Sequence, residues 1–228
     1  MDEQRQEVEM DLSGLTYPEF LAFFFDRPIV SEENEYGLFR SEIDSFGASN
    51  PTVVVGHIQE MCRNFTELAK AYSDEKLDQG LWAVFGAGIS CERFLFDPTV
   101  DTVLRKHCIE SMYLPFSNVV TRSITDVRES FYWMWWDMIL HTFWGTDGSD
   151  YLALNSDRKQ MAEAMYKTLS RILALDHRGC QWCALHGLGH LHHPAVRDIV
   201  QSYLDVHRNE LTDEELGWVE AFRDGHNM

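Results

Sequence analysis

The chain has 228 residues, 45% of them hydrophobic and 13% aromatic, enough to bury a substantial core. Its 37 acidic and 19 basic residues leave a formal charge of −18. That is the wrong sign for gripping phosphates, so nucleic acid is not expected as a partner and a basic protein is.

The opening MDEQRQEVEMDLSG lacks the basic and apolar regions of a signal peptide, and the apolar segments 81–89 and 131–144 are too short to cross a bilayer. Five cysteines form no even framework, so the expectation is a cytoplasmic chain with free thiols and no membrane contact. TYPEFLAFFFDRP (16–28) predicts a helix that stops at Pro28. Residues 31–49 read as a long connection or an irregular first repeat, which makes 1–49 an N-terminal cap. Three helix starts then share one device: Asn50-Pro51-Thr52-Val53, Asp97-Pro98-Thr99-Val100 and His193-Pro194-Ala195-Val196. Proline suits the first helical turn, and Asn50 and Asp97 are good caps. Helical spacing follows in Val54, Ile58, Met61, Cys62 and Phe65, in Val103, Leu104, His107 and Cys108, and in Ile199, Val200, Tyr203 and Leu204. A further helix starts near Asn155-Ser156-Asp157 without a proline. Others are predicted over 75–89, 124–144, 178–191 and 212–224, the last opening with the capping-box pattern Thr212-Asp213-Glu214-Glu215.

Pro51 and Pro98 lie 47 residues apart, and Pro98 and Pro194 lie 96 apart, twice 48. In CALHGLGHLHHPAVRDIVQSYLD (183–205), Ala184, Leu185, Leu188 and Leu191 line a first helix. A turn at Pro194 follows, then a second helix with Val196, Ile199 and Leu204. This stretch resembles a repeat of the HEAT/armadillo type, best over 180–206 and more loosely over 75–112. The middle repeat lacks the turn proline, and the aromatic load of 131–144 is unusual for such a repeat. The resemblance implies one all-α domain over 1–228: a right-handed α-α solenoid of about four helix pairs, with repeats near 50–96, 97–144, 145–192 and 193–228.

The chemistry-bearing stretch is GCQWCALHGLGHLHHP (179–194). On a helix Cys183, His186 and His190 share a face and are donors that zinc or copper accepts. One helix rarely supplies three ligands to one ion, however. AVFGAGI (83–89) aligns with ALHGLGH (184–190), placing His186 where the earlier repeat has Phe85 and His190 where it has Ile89. That alignment favours packing positions between repeats, with the glycines permitting close helix approach. No metal or cofactor is therefore assigned, and Cys183, His186 and His190 stay as candidate ligands of an alternative reading as a metal-binding protein or enzyme. Cys180-x2-Cys183 lacks the strand–turn–helix setting of redox pairs and reads as two buried thiols. FGAGISCE (85–92) neither follows a strand nor matches a phosphate-binding loop. Asp137 and His141, four residues apart, have the makings of an acid–base pair, but a satisfied core hydrogen bond is the weightier reading. No nucleophile elbow, HExxH or Walker loop occurs.

The function expected of such a stack is non-catalytic protein binding on its concave face. The post-proline helices would line that face with Gln59, Glu60, Arg63, Glu67, Asp101, Arg105, Arg197, Asp198, Gln201 and Asp205. By composition and analogy, an acidic chain of this type suits the neutralising (immunity or inhibitor) partner of a toxin or nuclease.

Overall fold

Side-chain caps set the layout of this chain, whose computed structural model describes residues 9–30, 45–86, 89–123, 127–145 and 150–225. Thr16 and Glu19 make a capping box ahead of α1 (Tyr17–Phe25). Asn50 and Pro51 occupy the cap and first position of α2 (Pro51–Arg63), and α3 (Phe65–Ala71) resumes after Asn64. Ser73 caps α4 (Asp74–Phe85), which stops at Gly86, short of the helix expected over 75–89. Ser90 then takes a left-handed φ of 52°, and a 3-10 helix, Cys91–Phe96, follows.

The second proline device fails. Asp97 caps only a turn, its carboxylate accepting from Thr99 N–H at 2.8 Å and Thr99 Oγ1 at 2.6 Å. The helix α5 (Thr102–Ser111) starts four residues later than expected, because Asp101 accepts from Val103 N–H at 2.9 Å and Leu104 N–H at 3.1 Å. The delay is accompanied by a different inward face: Arg105, Cys108 and Ile109 are buried, whereas Val103 is 56% exposed. The chain then runs through a helical turn, Tyr113–Pro115, into a π-helical stretch, Phe116–Val120.

The helix expected over 124–144 begins at Phe131 as α6 (Phe131–Trp144), after a 3-10 turn at Val127–Glu129; residues 124–126 lie outside the described residues. Asn155 caps α7 (Ser156–Leu173), its side chain accepting from Arg158 N–H at 2.9 Å. α8 is Arg178–Leu191, α9 is Val196–His207, and α10 is Asp213–Arg223 behind the expected Thr212/Glu215 capping box. Pro194 sits in the turn ahead of α9 rather than in its first turn. The three prolines therefore occupy different structural positions, and their regular spacing does not mark equivalent ones.

The described residues are all-α apart from one small parallel pair, β1 (Glu9–Asp11) with β2 (Ser45–Gly47), in register Met10 with Phe46. At three residues each, these strands are too short to show a period in the sequence. Asp11 fastens the pair: its carboxylate accepts from the N–H and hydroxyl of both Ser13 and Ser49, which hold its pKa well below the usual range. The rest of the expected connection over 31–49, residues 31–44, lies outside the described residues.

Helix neighbours follow an alternating order. α2 packs on α5, and α5 on α7; α4 packs on α6, α6 on α8, and α8 on α10. α7 also lies along α8, and α9 along α10. At the centre, α6 buries Phe131, Tyr132, Trp135, Trp136, Ile139, Leu140 and Phe143. Phe85 of α4 meets Trp135 with ring centroids 4.9 Å apart. Each such side chain contributes roughly 2 kcal/mol of apolar burial, so α6 is a major source of stabilisation. No helix among the described residues is long and apolar enough to cross a membrane.

Candidate functional site

The sequence 179–194 forms α8 and the turn beyond it. His177 caps the helix, its Nδ1 accepting from Cys180 N–H at 3.3 Å, and His192 ends it in a left-handed conformation with φ 50°. Two glycines let neighbouring helices close in. A Cβ at Gly187 would stand 2.7 Å from Trp136 Cβ and 2.8 Å from Leu169 Cδ2, and one at Gly189 would stand 2.8 Å from Phe222 Cδ1. α8 is thus pressed between α6, α7 and α10, and its histidines sit along the seam with α6.

Their hydrogen bonds fix their protons. The His186 ring stacks on Trp133 at 4.3 Å, and its Nδ1 lies 3.1 Å from the Trp133 carbonyl. A carbonyl only accepts, so Nδ1 carries the proton and neutral His186 offers a lone pair at Nε2. His190 Nε2, 3.1 Å away, must therefore donate, and it also lies 3.3 Å from Asp137 Oδ1. The His190 N–H is thus given to His186, with the Asp137 carboxylate nearby. Burial lowers the pKa of His186, against the Trp133 carbonyl and Asp137. Burial also lowers that of His190, where Asp137 opposes it and the other histidines reinforce it. Both rings are neutral at pH 7. Protonating His186 would turn its Nε2 into a donor and require His190 to shift its proton to Nδ1.

The neighbouring pair is closed in the same way. His193 stacks on Tyr166 at 4.5 Å, accepts from Ala195 N–H at Nδ1 and donates from Nε2 to Glu163 Oε2 at 3.2 Å. Burial lowers His192 and His193, with Glu163 opposing the shift at His193. The Asp137–His190–His186 chain ends on a backbone carbonyl, which takes up no proton. Its evident role is to satisfy polar groups where α6 and α8 meet.

Several expected placements change. Cys183 is wholly buried and does not join His186 and His190; burial and the adjacent Cys180 push its thiol well above the ordinary range. Cys180 is pushed up to about 12 by burial, and all five cysteines are free and buried. Among the described residues, no group of three or more His, Cys, Asp or Glu side chains is arranged to hold a metal ion. Asp137 pairs across the seam with His190, not along its helix with His141, which is exposed. His186 and Phe85 both pack against α6, Phe85 from the preceding helix α4 and His186 from the following helix α8. Ile89, though buried, lies beyond the end of α4 and is no helical counterpart of His190.

Of the expected binding residues, Gln59 is 8% exposed and Arg105 only 1%. The late start of α5 accompanies this inward turn of Arg105, which grips Asp157 at 2.7 and 3.0 Å and donates to Thr102 Oγ1 and the Val100 carbonyl. Gln59 lies on the face of α2 that carries Val55 and Cys62, both fully covered. Glu60, Arg63, Glu67, Asp101, Arg197, Asp198, Gln201 and Asp205 are exposed. Some of these are already engaged: Asp101 caps α5, Glu67 holds Lys70 at 2.8 Å, Arg197 meets Asp224 at 3.4 Å, and Gln201 links Asp205 to Arg223.

One polar group escaped the sequence reading. Glu92, in the 3-10 helix, is 2% exposed; Oε1 accepts from Thr142 Oγ1 at 2.8 Å and Oε2 has no hydrogen-bond partner. Burial raises its pKa to about 7. The only sequence signal is the charged pair Glu92-Arg93 inside the otherwise apolar run CERFLF. Compared with models of known families, with curated proteins and with solved structures, the chain matches none.

Proposed function

We propose that the chain is a non-catalytic helical-repeat protein, a right-handed HEAT-like solenoid of about four helix pairs behind an N-terminal helical cap, that binds a basic protein. The observation that supports this reading is the neighbour order, α2 on α5 on α7 and α4 on α6 on α8 on α10. From α4 to α8, elements that alternate along the chain fall into two series, as stacked helix pairs do, while α9 lies along α10; such stacks offer long surfaces to partners. The charge of −18, with Glu60, Glu67, Asp198 and Asp205 exposed, suits a basic partner, and neutralising a basic toxin or nuclease in the cytoplasm is a role consistent with it. The test is capture of a basic polypeptide on the immobilised chain. Asp198→Lys with Asp205→Lys should abolish capture without lowering Tm. Capture that survives these reversals and those of Glu60 and Glu67 overturns the reading.

A further inference from the structure

Acidic residues outnumber basic ones about two to one in this chain, yet one face reverses the balance. Between α5 and α7 lies an open depression of about 530 Å3 lined by Lys106, Lys159 and Lys167 together with Glu110 and Glu163. A second, of about 260 Å3, adjoins it at Glu110 and adds Arg63 and Arg171. The two together hold five lysines and arginines against two carboxylates. One of those carboxylates, Glu163, is already engaged by Lys167 at 3.2 Å and His193 at 3.2 Å. Among the described residues Lys106 and Arg63 have no carboxylate partner, and the Arg171 guanidinium lies over the Tyr113 ring at 4.0 Å. Lys106 and Arg63 are thus free to take an anion from outside, beside Lys159 and Lys167, which are held by the Leu152 carbonyl and Glu163.

The spacing narrows the class of anion. Lys159, Glu163, Lys167 and Arg171 follow one another at four-residue intervals along α7, a row that rises about 18 Å and turns about 40° per step. Cations spread along such a line do not converge on a single phosphate, and the interleaved Glu110 and Glu163 repel a dense polyanion. An extended peptide of about six or seven residues spans the row, with same-face side chains about 6.8 Å apart. Acidic residues four apart then stand about 13 Å apart, close to the roughly 12 Å rise from Lys159 to Lys167. The residue between them faces Glu163 and must be uncharged.

We propose that this cleft binds an acidic peptide segment of a partner protein in extended conformation, reading carboxylates at the same-face positions opposite Lys159, Lys167 and Arg171. The site does not depend on the basic-partner reading above, because its cations are not among the acidic side chains tested there and it takes the opposite charge; Arg63 alone is shared with the binding face expected from the sequence. Its salt dependence is distinctive. At about 0.01 M salt the Debye length is about 30 Å, and the whole acidic molecule repels the peptide; at about 0.1 M it is about 10 Å, and the local cations dominate; at about 1 M these too are screened. Binding therefore passes through a maximum at intermediate salt.

The probe is a rhodamine-labelled peptide Glu-Ser-Ser-Ser-Glu-Ser-Glu, titrated with the full chain by fluorescence anisotropy at those three salt concentrations. Saturable binding should be strongest near 0.1 M and at least tenfold weaker in Lys106→Glu with Lys167→Glu. The same change of charge at Lys70 and Lys76, outside the cleft, should alter it less than twofold. If the double glutamate variant loses its helical circular dichroism, Lys106→Gln with Lys167→Gln supplies the readout, with at least a threefold loss expected. Absence of saturable binding, equal loss in the Lys70/Lys76 variant, or a monotonic salt dependence overturns the proposal. So does tighter competition by tripolyphosphate or a short DNA duplex than by the unlabelled peptide, which would make the cleft a phosphate site.

Discussion

Replacing Glu92 by glutamine keeps the acceptor that Thr142 uses and removes the charge that the fold buries with one oxygen unpaired. The carboxyl has its pKa raised from an ordinary 4.5 to about 7 in the folded chain. Between those values the folded state holds a proton that the unfolded state has lost, so stability is full below pH 4.5 and falls as pH rises through about 7. At about 1.4 kcal/mol per pH unit, the loss above that window is of order 3 kcal/mol. Glutamine has no such window. At low pH both side chains bury an unpaired donor, so Glu92→Gln should be near neutral at pH 4.5 and stabilising by about 2–3 kcal/mol at pH 8. Urea denaturation of both proteins at several pH values, followed by tryptophan fluorescence, gives the difference directly, and other titrations cancel in it. A difference that stays constant between pH 4.5 and 8 would refute the reasoning and mean that water reaches Oε2.

The four histidines at the end of α8 predict the opposite slope in the wild type. Burial lowers His186, His190, His192 and His193, so the unfolded chain takes up protons first, and their contribution is intact above about pH 6.5 and declines as pH falls. Thermal melts of Glu92→Gln, free of the counter-slope, should show Tm falling between pH 6.5 and 5. Gly187→Ala should destabilise by about 1–3 kcal/mol, since its Cβ meets Trp136 and Leu169, whereas Gly217→Ala, with nothing within 4 Å, should be stabilising by about 0.5–1 kcal/mol in the same denaturation assay. Arg105→Met should cost roughly 2–3 kcal/mol by chemical denaturation, because it strands the Asp157 carboxylate and the Val100 carbonyl. Partial exposure of Asp157 keeps the cost below that of a fully buried pair.

What the sequence made legible was local. The bounds of α8, the Asn155 cap of α7 and the Thr212/Glu215 box of α10 each depend on a few adjacent residues, and each stands in the structure where the sequence places it. Ambiguity began where two caps compete. Asp97 and Asp101 are both capable N-caps, Pro98 favours the first, and the backbone hydrogen bonds of Val103 and Leu104 go to the second. Four residues of delay accompany the exchange of Val103 for Arg105 on the inward face, which is why helical spacing from Pro98 places Arg105 on the surface. The candidate site was legible by half. Helical spacing put His186 beside His190, but the partner of Asp137 lay on another helix, and no periodicity within 131–144 names it.

The five buried thiols make the molecule its own opening gauge. A thiolate is the reactive form, and burial keeps each sulfhydryl both covered and protonated. Alkylation can then proceed only through excursions that expose the side chain, so its rate at each site reports how often that part of the chain breathes. Cys62 sits in α2, Cys91 in the 3-10 helix, Cys108 in α5, and Cys180 and Cys183 in α8. Pulsed labelling read by mass spectrometry would therefore tell, with no engineered probe, whether α2, α5 and α8 open as one cooperative body or peel away in turn.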